Sequence, residues 1–180
     1  LPHMFTGQDP YHHPKYEPLW TVCEDLGMVI HFHSGAAPMH EYFGAAIFGT
    51  QASSEPPVSL PGALGIYVTE VAWWLTRPAV FMIWGGVFER YPKLKASFTE
   101  TGCGWMLPPY IRLLDHNYHD VQFSAKLGNF MGHLSISPSD YFRRNVAVGA
   151  SVLARREVEI RAEIGVDRIM WGSDYPHHEG

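Results

Sequence analysis

Apolar positions along the chain recur at helical spacing, give way to short strand-like runs, and the alternation then repeats. Pro14 suits a helix N-terminus, and from Lys15 onward Leu19, Trp20, Val22, Cys23 and Leu26 follow helical spacing until Gly27, a residue suited to the helix stop. Residues 28–33 (MVIHFH) then read as a strand ended by Ser34-Gly35. A helix through Trp84 to Arg90 stops at Pro92, and residues 94–99 (LKASFT) read as a strand ending at Glu100. A helix over 154–164 stops at Gly165, and residues 168–171 (RIMW) form a strand ending at Gly172. Residues 145–150 (NVAVGA) are a fourth, weaker strand. Helix, Gly or Pro stop, short strand, polar strand end: the pattern predicts α/β structure with a parallel sheet. No fixed-period repeat accompanies it, which excludes a solenoid. Residues 36–61 read as a long loop, a kind that is usually functional or poorly ordered.

Composition supports one folded unit. The chain has 180 residues, 46% hydrophobic and 14% aromatic, enough for a buried core and incompatible with disorder. A net charge of −5 supplies no electrostatic footprint for nucleic acid. Cys23 and Cys103 cannot build a disulfide framework, so a reducing, cytoplasmic location is expected. One apolar stretch, 71–88 (VAWWLTRPAVFMIWGGVF), raises the question of a membrane span. It holds Arg77 and Pro78 at its centre, and a central Arg costs ~2.5–3.5 kcal/mol on insertion. Two soluble helices meeting at Arg77-Pro78 are expected instead, with no membrane partner. No signal peptide or initiating Met opens the chain, and no closing helix follows the last strand. The expectation is a single domain, 1–180, cut at both ends.

Eleven histidines nearly match 13 Lys plus Arg, and that excess directs attention to chemistry. In parallel α/β structures, reactive groups gather at the C-terminal strand ends. Those ends hold His31 and His33, then Glu100, then Asp174. Residues two apart on a strand share a face, so His31 and His33 can point into one pocket. Imidazole with carboxylate suits a divalent metal such as Zn²⁺, whose bound water a nearby carboxylate can deprotonate. Plainer roles stand beside these. His31 reads as a hydrogen-bonded core histidine ahead of a ligand, while Glu100 reads equally as half of an ion pair with an Arg, and Asp174 as a turn or cap residue. His12, His13, His177 and His178 read as loop residues, and His116 and His119 as surface groups of a helix. No Gly-rich phosphate loop or G-x-S-x-G elbow is present.

Residues 164–180 (IGVDRIMWGSDYPHHEG) resemble the eighth strand of the amidohydrolase superfamily, in the branch of amidohydrolase-related hydrolases and aminocarboxymuconate-semialdehyde decarboxylase-like enzymes. Residues 16–35 (YEPLWTVCEDLGMVIHFHSG) resemble that branch's fourth helix and fifth strand. Residues 88–105 (FERYPKLKASFTETGCGW) resemble the run into the sixth strand, and 137–151 (SPSDYFRRNVAVGAS) the seventh. The resemblance implies part of a (β/α)₈ barrel, roughly strands 5 to 8, with a divalent metal, usually zinc, at its C-terminal mouth. By this resemblance His33 is the fifth-strand metal ligand. Asp174 is the eighth-strand aspartate, acting as ligand, proton shuttle or both, and His177 follows it near the substrate. The sixth-strand position, commonly histidine, is Glu100, which adds negative charge. The family's first-strand His-x-His has no counterpart, and a full barrel needs ~250 residues.

The expected function is a metal-dependent hydrolase, in which activated water attacks the carbonyl carbon of a small amide or ester-like molecule. Asp174, Glu100 and His177 are the catalytic candidates; His33 and Asp174 are the metal ligands. Two alternatives remain open: non-oxidative decarboxylation of an aromatic or dienoic acid, and an inactive fragment or metal-free assembly module. Four strands of eight would leave two open sheet edges, so the chain alone is expected to be unstable or to aggregate unless a partner, or self-association into a homo-oligomer, covers them.

Overall fold

Strand register decides which residues reach the helices and which reach the strand-end site. The computed structural model describes residues 7–35, 37–43, 61–100, 103–120, 125–150 and 154–176, with side chains for all of these except 103–107 and 156. A 3-10 turn at Pro14–Tyr16 leads into α1 (Glu17–Asp25), β1 (Val29–His33), α2 (Met39–Phe43), α3 (Ala63–Trp84), α4 (Val87–Arg90) and β2 (Lys95–Thr99). Then follow α5 (Cys103–His119), α6 (Pro138–Asn145), β3 (Val146–Ala150), α7 (Arg155–Glu159), α8 (Arg161–Ile164), a 3-10 turn at Val166–Arg168, and β4 (Ile169–Trp171). The strands lie in sequence order, and every neighbouring pair is parallel. That is α/β architecture of the kind from which a (β/α)₈ barrel is built.

One sheet face is buried under the helices. Ile30 and Phe32, Ala96 and Phe98, Val146 and Val148 all point that way and are buried. Phe32 and Phe98 are register partners and stack with ring centroids 4.9 Å apart. Tyr11 meets Phe32 edge-on at 5.6 Å and Trp20 at 5.9 Å, and Trp20 Nε1 donates to the Tyr11 carbonyl at 3.3 Å. Alternation sends the other set to the opposite face: His31, Ser97 and Ala147 in one row, His33, Thr99, Gly149 and Met170 in the next. At the α6–β3 junction, buried Asn145 Nδ2 donates to the carbonyls of Pro92 (3.1 Å) and Leu94 (2.7 Å), anchoring the entry to β2.

Several expectations need correction. The break at Arg77-Pro78 is absent, and α3 runs through it as one helix. A proline inside a helix costs ~3 kcal/mol. Buried Leu75, Thr76, Ala79, Met82 and Ile83 flank it, and the Arg77 guanidinium lies 5.6, 5.3 and 5.0 Å from the rings of Trp73, Trp74 and Phe81, bridging the turns on both sides. No helix among the described residues is long and apolar enough to cross a membrane. Trp84 to Arg90 is not one helix, because Gly85-Gly86 separates α3 from α4, with Gly86 at φ 68°. The 154–164 helix divides at Ile160. The presumed loop 36–61 contains α2, and residues 44–60 lie outside the described residues. In α1 only Trp20 and Cys23 are buried, whereas Leu19, Val22 and Leu26 are exposed. The strand that looked weakest, β3, is flanked on both sides, and its small residues fit that enclosure.

Burial pushes the Tyr11 phenol up to about 12, with neighbouring Tyr16 contributing second. A phenol held neutral in the fold stabilises it fully below its unfolded value near ~10, and that contribution is lost as pH rises through the folded value. Urea unfolding at a series of pH values is therefore expected to show roughly 2–3 kcal/mol lost between pH ~10 and ~12 through this group. Tyr11→Phe should flatten that part of the profile; an unchanged slope would show that Tyr11 is not the group responsible.

Candidate active site

The open face carries its polar groups where β1 and β2 end. His33 is the last residue of β1, and the Ser34 N–H donates to the Thr99 carbonyl at 3.2 Å, so pairing continues one step past the strand. The Glu100 N–H donates to the Gly149 carbonyl at 2.8 Å, which fixes Glu100 between β2 and β3. Three side chains then converge. The Ser34 hydroxyl donates to Glu100 Oε2, and His33 Nε2 stands 3.3 Å from Glu100 Oε1. His33 Nδ1 lies 3.0 Å from the Ser34 carbonyl oxygen, which only accepts, so Nδ1 carries the hydrogen. In the neutral ring the Nε2 lone pair therefore faces Glu100. Glu100 Oε1 is buried and receives no hydrogen bond, a costly arrangement for a carboxylate oxygen.

Asp174 follows β4, partly buried, beyond Gly172, whose N–H donates to the Ala150 carbonyl at 3.3 Å. Among the described residues, Glu100 (φ 60°) and Asp174 (φ 58°) are the two non-glycine residues with positive φ. Left-handed backbone costs an L-residue ~1–2 kcal/mol, and such strain gathers at functional sites. His31 is exposed on the face of His33, so the core-histidine alternative does not hold. His177 lies outside the described residues. The structure thus brings His33 and Glu100 together, while no three His, Cys, Asp or Glu side chains form a metal-holding group among the described residues. Sequence reasoning missed Ser34, read only as a strand stop, and Ser97, whose buried hydroxyl has no partner in the row of His31. A groove of about 550 Å³ lined by His12, Val80, Phe81, Trp84, Gly85 and His133 includes none of the strand-end residues.

A family model described as amidohydrolase matches residues 2–180. Solved structures of similar fold include a 5-carboxyvanillate decarboxylase from Sphingomonas paucimobilis, 23% identical at TM-score 0.67 over 97% of this chain and 47% of that one. An amidohydrolase from Mycobacterium avium subsp. paratuberculosis is 25% identical at TM-score 0.66, over 94% of this chain and 38% of that one. A dihydroxybenzoic acid decarboxylase from Polaromonas, with bound manganese and 2-nitroresorcinol, is 21% identical at TM-score 0.58, over 93% of this chain and 45% of that one. The chain spans about half the length of the solved structures it matches. The four parallel units are accordingly part of a barrel. Amidohydrolases imply a divalent metal, and the donors fit one: an imidazole nitrogen faces a buried carboxylate oxygen that nothing else satisfies.

Backbone strain and an unbonded oxygen at Glu100 predict that stability is sacrificed there for function. Glu100→Gly relieves both and forfeits one hydrogen bond from Ser34, for an expected net gain of about 1 kcal/mol. Chemical denaturation measures it. A loss of similar size would mean that Glu100 serves the fold rather than a site.

Proposed function

We propose that this chain, which belongs to the amidohydrolase family, carries the strand-end half of an active site that releases CO₂ from an aromatic or dienoic acid. The observation that carries an enzymatic reading is the convergence of His33 Nε2 and Glu100 Oε1 at the ends of β1 and β2. Decarboxylation is favoured because the solved structures sharing this fold include decarboxylases of carboxyvanillate and of dihydroxybenzoates.

His33 and Asp174 are the residues that would hold a divalent cation, Zn²⁺ and Mn²⁺ both accepting such donors. When bound, the cation supplies Lewis-acid polarisation of the substrate carboxylate and a neighbouring oxygen. His33 is kept in the ligand-competent tautomer by its Nδ1–H bond to the Ser34 carbonyl. Glu100, held by Ser34, gives the floor between β2 and β3 a fixed negative charge when ionised. The Asp174 carboxyl holds the proton that is delivered to the carbon bearing the substrate carboxylate. A C–H bond forms there, the C–C bond to the carboxylate breaks, and CO₂ leaves. His177, three residues on in the sequence, would contact the substrate.

Hydrolysis is the second reading, supported by an amidohydrolase among the similar structures. The same residues then serve with the proton moving the other way: Asp174 takes it from the attacking water. A panel of hydroxybenzoates and dienoic acids, followed by CO₂ release, against amides and esters, followed by acid release, separates the two. Asp174→Asn is expected to lower turnover by ~10²–10⁴-fold in the active panel. Acid release without CO₂ would replace decarboxylation by hydrolysis.

A further inference from the structure

The geometry points to Glu100 as a metal ligand in its own right, occupying with His33 two adjacent positions around one divalent cation. This inference rests on the metal-dependent reading above and changes its ligand set. Three observations support it. First, the facing atoms, His33 Nε2 and Glu100 Oε1, are 3.3 Å apart. Two donors at ~2.1 Å from a common ion stand ~3.0 Å apart at a right angle and ~3.4 Å apart at the tetrahedral angle, so the observed separation suits a shared ion. Second, both side chains are oriented from behind. The Ser34 carbonyl accepts the His33 Nδ1 hydrogen, and the Ser34 hydroxyl donates to Glu100 Oε2, so that His33 Nε2 and Glu100 Oε1 face each other. Third, Oε1 is buried without a hydrogen bond, an arrangement that a cation between the two atoms would satisfy.

A carboxylate at this position also changes which cation is favoured. Imidazole suits zinc, whereas carboxylate oxygen suits manganese and magnesium. Glu100 with Asp174 gives two carboxylates to one imidazole, a set that narrows the usual advantage of Zn²⁺ over Mn²⁺. Replacing Glu100 by histidine should restore that advantage.

The test uses the full chain, stripped of metal, with Mn²⁺ binding followed by loss of the free-ion paramagnetic resonance signal. Co²⁺ absorption reports the donor atoms directly. Glu100→Gln, nearly isosteric, is expected to weaken Mn²⁺ and to alter the Co²⁺ visible bands, and Glu100→His to raise the Zn²⁺ to Mn²⁺ affinity ratio by about tenfold or more. A carboxylate that merely oriented a ligand would also cost about 10- to 100-fold in affinity, but would leave the donor set seen by Co²⁺ unchanged. Unchanged bands in Glu100→Gln, with binding lost in His33→Ala, would overturn the role of Glu100 and leave the metal-dependent reading standing. No binding of either ion by the parent chain would overturn both. Thermal unfolding of the metal-free variants confirms that each is folded.

Discussion

Stacking of Phe32 on Phe98 across the β1–β2 pair determines the chemistry available on the other side of the sheet. Side chains alternate along a strand, so fixing these two rings under the helices fixes His31 and His33 on the opposite face. A slip of β1 by one residue would bury both histidines and expose Ile30 and Phe32, exchanging a core contact for two desolvated imidazoles. Tyr11 reinforces the choice by packing edge-on against Phe32, and Trp20 packs edge-on against Tyr11 in turn. The site therefore inherits its precision from an aromatic cluster that touches none of its reactive atoms.

Packing places the histidines, but it does not account for Glu100. Glu100 departs from ordinary backbone geometry, has one oxygen bonded to Ser34, and keeps the other buried and unbonded. The backbone geometry and the unbonded oxygen each cost stability, and their coincidence at a strand end facing an imidazole is better explained by function than by folding. Asp174 repeats the backbone feature after β4. The two residues share a local feature, a left-handed backbone conformation shortly after a strand ends.

The strands were legible because each has its own punctuation. Gly27, Pro92 and Gly165 stop the preceding helices, and β1, β2 and β4 each begin one residue after the start read from sequence. Interruptions inside helices were not legible, because local rules at Pro78 compete with burial and with aromatic contacts to Arg77 that depend on three-dimensional packing. At Ile160 and Gly85-Gly86 the error went the other way, since a continuous apolar pattern concealed a change of direction. In the site, His33, Glu100 and Asp174 could be found from strand ends alone. Ser34 could not, because a serine after a strand reads as a turn residue, and only the pairing of β1 with β2 brings its hydroxyl to Glu100 66 positions away.

Sheet curvature sets the last constraint. β1 and β4 are the outer strands among those described, three steps apart, and three steps along a flat sheet are about 14 Å. His33 and Glu100 sit on adjacent strands and meet at 3.3 Å without any curvature. Asp174, on the far side, would share an ion with His33, as proposed, only where the strands curl so that both side chains reach inward toward a common axis, as barrel closure requires. The His33–Glu100 pair is therefore the local part of the site, built by register alone. On the proposed reading the contribution of Asp174 would depend on closure, which would make the stability of the curved sheet and the strength of metal binding two readings of one equilibrium.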